Sequence, residues 1–140
     1  MPTSATTTWT AQKLEPFLYP DRAERIAVKL APSLTLAKGT VLGRNATTNL
    51  WGAYVDAGAT DPARAILGID TATDASGNHF YGTQASSEYG EAHLHTWAFI
   101  SGDFKAADLT GLDANGQADL RGSLVYGDNL ADAEAVIHIG

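Results

Sequence analysis

The sequence predicts a mainly β (α+β) fold in one small domain, with one or two short helices and an extended N-terminal arm. From Arg25 onward, apolar residues alternate with polar or small ones over short runs, which is typical of half-buried strands. Helical patterning is confined to the region 104–120. The length of 140 residues corresponds to one domain and allows roughly two thirds of the extended-chain surface to be buried.

Composition and charge narrow the classes of partner. Only 18% of the residues are charged, and such a surface suits a protein that packs against other protein. The net charge is −7 with nine Lys and Arg residues, which argues against nucleic acid as a partner. The chain has no Cys, so neither disulfides nor thiolate metal sites are expected. No apolar run approaches about 18 residues and no signal-peptide pattern opens the chain, so we expect no membrane partner and synthesis in the cytoplasm.

The N-terminal arm is predicted to span residues 1–24, and the β-rich domain residues 25–140. The arm carries three of the five prolines and shows neither a helical nor a strand period. It is either a disordered leader or a segment that becomes ordered on a partner by strand addition. The second interpretation depends on its apolar anchors, which are Trp9, Leu14, Phe17, Leu18 and Tyr19.

Nine strands are predicted in order after the arm. They share alternating or compact apolar text between Gly, Pro, Asn and Asp residues, and they cover 25–30, 34–36, 40–43, 50–55, 64–70, 79–83, 91–100, 123–126 and 135–139. The strand at 64–70 is expected to be buried on both faces. The stretch 71–78 is rich in small polar residues and is predicted to be a loop.

The stretch 91–120 is predicted to change from strand to helix. Gly102 is expected to end the strand at 91–100, and a single helical turn is expected over 104–109. Asp113 is a suitable N-cap for a second helix that runs to about Leu120, and Gly122 is a suitable stop.

Two patterns could bind metal ions. Glu91, His93 and His95 alternate along one predicted strand face, which could ligate one ion or could form a polar or interface surface. The text at 113–119 is similar to a calcium loop but lacks the bidentate Glu, so a helix cap explains it better. Motifs for phosphate binding, dinucleotide binding or an activated serine are absent from the sequence, which disfavours an enzyme.

Four phrases in order carry a resemblance to a known family. They lie at 34–43, 65–70, 101–109 and 136–139. Together they resemble the head decoration proteins of tailed bacteriophages, the family of the lambda head-stabilising protein, over roughly residues 34–139. The central strand departs slightly from the family's text, since it reads Ala-Ile-Leu-Gly-Ile at 65–69.

The resemblance implies a small β-tulip fold and a homotrimer on the outer surface of the virion. Such trimers sit at three-fold and quasi-three-fold positions of the expanded capsid, and their arms contact the major capsid protein. The family has no catalytic activity and no cofactor. The residues expected to contact the capsid are Trp9, Leu14, Phe17, Leu18 and Tyr19; those expected at the trimer interface are His93, His95, Trp97 and Phe99.

Two other functions are kept as alternatives. The first is a virion-surface adhesion module, in which the predicted loop region 71–90 would bind the target. The second is a metal-dependent enzyme that uses Glu91, His93 and His95.

Overall fold

The computed structural model describes residues 23–86 and 90–140. Within them the chain forms eleven strands, one turn of 3-10 helix at Ala106–Asp108 and one α-helix. These are β1 (Arg25–Val28), β2 (Thr35–Leu36), β3 (Val41–Arg44), β4 (Trp51–Ala53), β5 (Ala63–Leu67), β6 (Thr71–Thr73), β7 (His79–Tyr81), β8 (Thr96–Phe99), β9 (Gly102–Lys105), α1 (Ala114–Asp119), β10 (Ser123–Tyr126) and β11 (Val136–Ile139).

The strands form three antiparallel sheets. The largest has five strands in the order β1-β8-β5-β3-β4, and the smaller ones have the orders β10-β11-β9 and β2-β6-β7. The prediction of a mainly β fold in one small domain is therefore confirmed. The helices in the described part of the chain are short, and none has the length and apolar character that a membrane crossing requires.

The five-stranded sheet has an apolar cluster on each face. Val41, Ile66 and Phe99 pack with Phe104 of β9 and Ile137 of β11. The opposite cluster contains Val28, Leu42, Leu67 and Ala98, with Leu34 and Leu36 packed against it. Strand β5 therefore lies between two cores, as the compact apolar text predicted.

The predicted helical turn at 104–109 is wrong over its first half. Gly102–Lys105 forms strand β9, in which Phe104 pairs with Ile137 and is completely buried. Only Ala106–Asp108 turns as a 3-10 helix. The pairing partner lies more than 30 residues away in the sequence, so local text could not reveal it.

The predicted loop at 71–78 is also partly wrong, because Thr71–Thr73 forms the buried strand β6. Its threonines are buried with their hydroxyls hydrogen bonded: Thr71 Oγ1 lies 2.9 Å from Thr96 Oγ1, and Thr73 Oγ1 donates to the Ala31 carbonyl at 2.7 Å. The burial of a hydroxyl group is tolerated when the group is hydrogen bonded, which explains why these polar residues lie in the interior.

Strand β8 is shorter than the strand predicted at 91–100. It covers Thr96–Phe99, and among residues 23–86 and 90–140 the segment 91–95 makes one ladder contact, a bridge between His93 and His79. His93 and His95 therefore do not share a regular strand face with Trp97, which changes the geometry of the predicted site.

Helix α1 agrees closely with its prediction. Asp113 is extended and accepts a hydrogen bond from the Gly116 amide at 2.6 Å, and Leu120 is the C-cap. The short polar side chain before the helix satisfies one of its free amide groups, which is why local sequence identified this element.

Candidate functional site

Four side chains from separate segments stack at the surface, and we call them the aromatic column: Arg25, Tyr81, His93 and Trp97. The Arg25 guanidinium carbon lies 4.2 Å from the centre of the Trp97 ring. The Trp97 and Tyr81 rings are 6.5 Å apart with planes 12° from parallel, and the Tyr81 and His93 rings are 4.1 Å apart at 9°. Contacts of this kind between a guanidinium and an indole, and between offset rings, are attractive.

The register of β1 and β8 places Arg25 beside Trp97. Arg25 faces Phe99 and Ala27 faces Trp97 across the antiparallel pair, so Arg25 and Trp97 are diagonal neighbours. Gly68 leaves space for the rings of Trp97 and Phe99, because a Cβ at position 68 would lie 2.9 Å from Phe99 Cε2 and 3.1 Å from Trp97 Cδ1.

Backbone contacts hold the far end of the column. His79 and His93 exchange two hydrogen bonds, of 2.8 Å from the His79 amide and 2.7 Å from the His93 amide. The Tyr81 hydroxyl donates to the His95 carbonyl at 3.1 Å. The segment that carries His93 is therefore fastened to β7 at two points.

The imidazole of His79 lies beneath this end of the column and is fully buried. Its Nε2 accepts a hydrogen bond from the Leu30 amide at 2.9 Å, and its Nδ1 lies 2.9 Å from the Gly77 carbonyl oxygen. Burial lowers the pKa of His79 from its ordinary value, and His95 and Lys29 lower it further. The ring is thus neutral at neutral pH.

The column exposes large apolar and aromatic surface. Trp97 is 36% exposed, Tyr81 39%, and Leu94, next to His93 in the sequence, 69%. Trp, Tyr and Arg dominate the binding energy of protein interfaces, and an exposed apolar group of this kind marks an interaction surface. The chemistry of the column therefore suits contact with another protein.

The structure brings together part of the predicted trimer surface. His93 and Trp97 stand in the column, whereas the side chain of His95 is exposed and only its carbonyl oxygen contacts Tyr81. Phe99 is 7% exposed and packs in the core with its ring 6.3 Å from that of Phe104. Trp97 and Phe99 differ in exposure because β8 is buried on both faces at its end, where Ala98 and Phe99 both lie in the core. Exposed and buried residues therefore do not alternate there.

Sequence reasoning missed Arg25 and Tyr81 as members of the site. Alternation within 79–81 could not have revealed Tyr81, because it would share a face with His79, and His79 is buried while Tyr81 is exposed. Nothing in local text could join it to Arg25, because the two residues meet only through Trp97.

The predicted arm joins the domain directly beside the column. The residues expected to contact the capsid, Trp9, Leu14, Phe17, Leu18 and Tyr19, lie outside the described residues. The described end of the arm is fixed: Ala23 packs against the core, and the Glu24 carbonyl accepts a hydrogen bond from the Ile100 amide at 2.9 Å. Arg25 follows immediately, so the last residue of the arm adjoins one end of the column.

The residues of the metal hypothesis do not form a metal site. Among residues 23–86 and 90–140, no group of three His, Asp or Glu side chains is arranged to hold an ion. The ring of His93 is stacked on Tyr81, outside any cluster with Glu91 and His95. Asp113, from the calcium-like text, serves as the cap of α1.

A second polar group crosses the outer face of the β10-β11-β9 sheet. His138 lies between Ser123 and Asp103 in the strand register, and its Nδ1 is 2.6 Å from Asp103 Oδ1. Within the described residues, no hydrogen bond joins the Ser123 hydroxyl to the imidazole. A serine nucleophile needs that bond, so this row is a surface hydrogen bond between His138 and Asp103 with a neighbouring serine.

An open depression adjoins the column at Tyr81. Its described lining consists of Tyr81, Gly82, Thr83 and Gln84, and its volume is about 270 Å³. It lies within the region 71–90 that the adhesion hypothesis assigned to target binding.

Comparisons of the chain with models of protein families, with curated proteins and with solved structures find no match. What the protein does must therefore be inferred from its own residues.

Proposed function

We propose that this protein is a structural virion protein: a trimeric decoration protein that binds the exterior of the expanded phage capsid at its three-fold and quasi-three-fold sites. It would stabilise the head against internal DNA pressure, with the major capsid protein as its partner. The observation that carries the proposal is the position of the aromatic column at the root of the predicted arm.

The column supplies a subunit contact next to the arm. Trp97, Tyr81 and Arg25 are already stacked on one another, so binding costs less side-chain entropy than it would for freely rotating groups. In a closed trimer each column would meet a different surface of the next subunit. His93 and Trp97 from the sequence prediction remain in this contact, and Arg25 and Tyr81 join them.

A subunit contact at the arm root would gather three arms on one side of the trimer. Three arms that bind together give a higher overall affinity than any single arm, because the second and third contacts are intramolecular. A protein that binds the expanded lattice in preference to its dissociated form stabilises that lattice by mass action. This arrangement fits attachment at a three-fold position.

The charge of the chain is consistent with an outer location. A net charge of −7 disfavours contact with the packaged DNA and suits a surface that faces solvent.

The first test measures solution mass by analytical ultracentrifugation. The full chain is expected to form a trimer, and Trp97→Ala is expected to weaken self-association by about tenfold or more, equal to about 1.4 kcal/mol. Val125→Ala is the matched control, because Val125 is 56% exposed on β10, outside the column. If Trp97→Ala stays trimeric at the same concentrations, the column is not the subunit contact.

The second test mixes purified protein with expanded capsids and compares the full chain with residues 23–140. The shortened chain is expected to lose most of its binding, because the arm anchors are removed. Equal binding of both chains would overturn the role of the arm. Failure of the full chain to bind any expanded capsid would overturn the decoration function itself.

The open depression at Tyr81–Gln84 favours a second candidate, a virion-surface adhesion module. In that case the chain 23–140 should keep its binding, and Gln84→Ala should weaken it. The two functions therefore predict opposite effects of removing the arm.

A further inference from the structure

His79 occupies the point where three chain segments meet under the aromatic column. It begins β7, is 0% exposed, and contacts Leu30, Gly77 and His93 through hydrogen bonds. A carbonyl oxygen can only accept, so Nδ1 must donate to Gly77. An amide can only donate, so Nε2 must accept from Leu30. These two partners fix a neutral ring with its proton on Nδ1.

The backbone of the same residue holds the end of the column. Both hydrogen bonds between His79 and His93 fasten the segment that places the His93 ring on Tyr81. The segment 91–95 has no other ladder contact among the described residues, and its second attachment to β7 is the hydrogen bond from the exposed Tyr81 hydroxyl to the His95 carbonyl. A change at His79 therefore acts directly on the position of His93.

We propose that His79 is a proton-operated latch. In mild acid, protonation of Nε2 removes the acceptor of the Leu30 amide. The segment that carries His93 is then released, and the stacking of His93 on Tyr81 at the end of the aromatic column is lost. The proton comes from solvent and binds the Nε2 lone pair. The Leu30 amide then faces an N–H group instead of an acceptor. Leu30 is itself 0% exposed, so water does not replace the lost bond without local opening.

The surrounding charges decide the direction of the response. Lys29 beside Leu30 and His95 in the 91–95 segment oppose a positive ring, whereas Asp74 and the Gly77 carbonyl favour it. His93 is hydrogen bonded to the backbone of His79, and Tyr81 lies two residues further along β7. Burial is the largest influence and lowers the pKa of His79 below its ordinary value of 6.5.

The sign of the pH dependence follows from this shift. Between the folded pKa and 6.5, the unfolded chain binds more protons at this residue than the folded one. The contribution of neutral His79 to the free energy of unfolding is complete above pH 6.5. It is lost as the pH falls toward the folded pKa and changes no further below that pKa. Within that window, each unit by which the pH falls raises the unfolding equilibrium constant by up to about tenfold.

The test compares the wild-type chain with His79→Gln between about pH 7.5 and about pH 5. The Gln amide oxygen can accept from Leu30 but does not titrate, so the pH-dependent loss from this site is expected to disappear. Val125→Ala is the control, because Val125 carries no titratable group and is exposed on another sheet, and it is expected to keep the wild-type slope. Equal slopes in wild type and His79→Gln would overturn the latch.

Measurements on the wild type keep the proposal testable if the variant does not fold. The ring of His79 is expected to titrate below 6.5 by NMR, with its proton on Nδ1 before titration. The protection factors of the Leu30 and His93 amides against hydrogen exchange should fall at the same midpoint, before that of the core amide of Ile137. Unchanged protection factors while the ring titrates would overturn the coupling. These experiments use the isolated protein, so their outcome does not depend on capsid binding.

Discussion

The side chain of Asp113 accepts two hydrogen bonds and connects two elements that are distant in the sequence. Asp113 accepts hydrogen bonds from the Gly116 amide at 2.6 Å and from the Tyr54 hydroxyl at 3.1 Å, so it joins helix α1 to the residue that follows β4. Burial raises the pKa of Tyr54 above its usual range, and the bond to Asp113 raises it further, which keeps the hydroxyl a donor. The N-cap could be predicted from sequence because the Asp and its helix are adjacent. The bond to Tyr54 could not, since the two residues are 59 positions apart.

Asp113→Ala should lower the free energy of unfolding by about 1–2 kcal/mol, because the cap and the acceptor for a buried hydroxyl are both lost. Urea unfolding measures the change. Asp113→Asn keeps an acceptor oxygen at the cap and should lose less. A cost for Asp113→Ala no larger than that for Asp113→Asn would show that the carbonyl-type acceptor is not what stabilises this joint.

At the scale of elements, strands β3 and β4 pair two glycines that face each other, and only one of the two positions requires glycine. Gly43 pairs with Gly52, and β3 has an irregular register at Leu42 and Gly43 where it pairs with β5. A Cβ on Gly43 would lie 1.6 Å from the Thr60 carbonyl oxygen, whereas the nearest atom to a Cβ on Gly52 is Thr60 Cγ2 at 3.6 Å. The loop after β4 thus crosses one glycine at contact distance and leaves the other free.

Gly43→Ala should destabilise the protein by about 3 kcal/mol or more, because backbone must move to admit the methyl group. Gly52→Ala on the paired strand should change stability by no more than about 0.5 kcal/mol. Denaturant unfolding of both variants, with circular dichroism to compare their folds, checks the pair. Similar effects at the two positions would contradict the close approach of Thr60 to Gly43.

Elements with a clear local signal were predicted well, and elements whose local sequence suggests another conformation were not. Strands β10 and β11 and helix α1 lie close to their predicted positions. Strand β9 was predicted as part of a helical turn with Phe104 and Leu109 as its apolar residues, but antiparallel pairing with β11 determines the conformation there. Strand β6 was predicted as loop because its threonines are polar, and their buried hydroxyl bonds explain the difference.

At the scale of the molecule, the three sheets enclose two apolar clusters that use opposite faces of the five-stranded sheet. The described chain enters this body at Ala23, which packs against one cluster. The Glu24 amide donates to Ser101 Oγ at 3.1 Å, and the Glu24 carbonyl accepts from Ile100. These contacts all lie within residues 23–140, and we expect this part of the chain to fold by itself.

The chain 23–140 should therefore keep the unfolding midpoint of the full chain within error. The chain 25–140 should be less stable by about 1–2 kcal/mol, since it loses the Ala23 contact and the Glu24 hydrogen bonds. Urea unfolding of the three chains separates these cases. A large loss in 23–140 would mean that residues 1–22 support the domain, which would also complicate their use as a free arm.

The sequence by itself determined the mainly β class, the cap of α1 and the position of most strands, because alternation and capping act between residues that are close along the chain. Only the tertiary structure decided that Phe99 lies in the core, that residues 102–105 pair as a strand, and that Arg25, Trp97, Tyr81 and His93 meet in one column. Those outcomes depend on which distant strands pair and in which register. Burial and hydrogen bonding in the folded chain fix that choice, and local sequence does not express it.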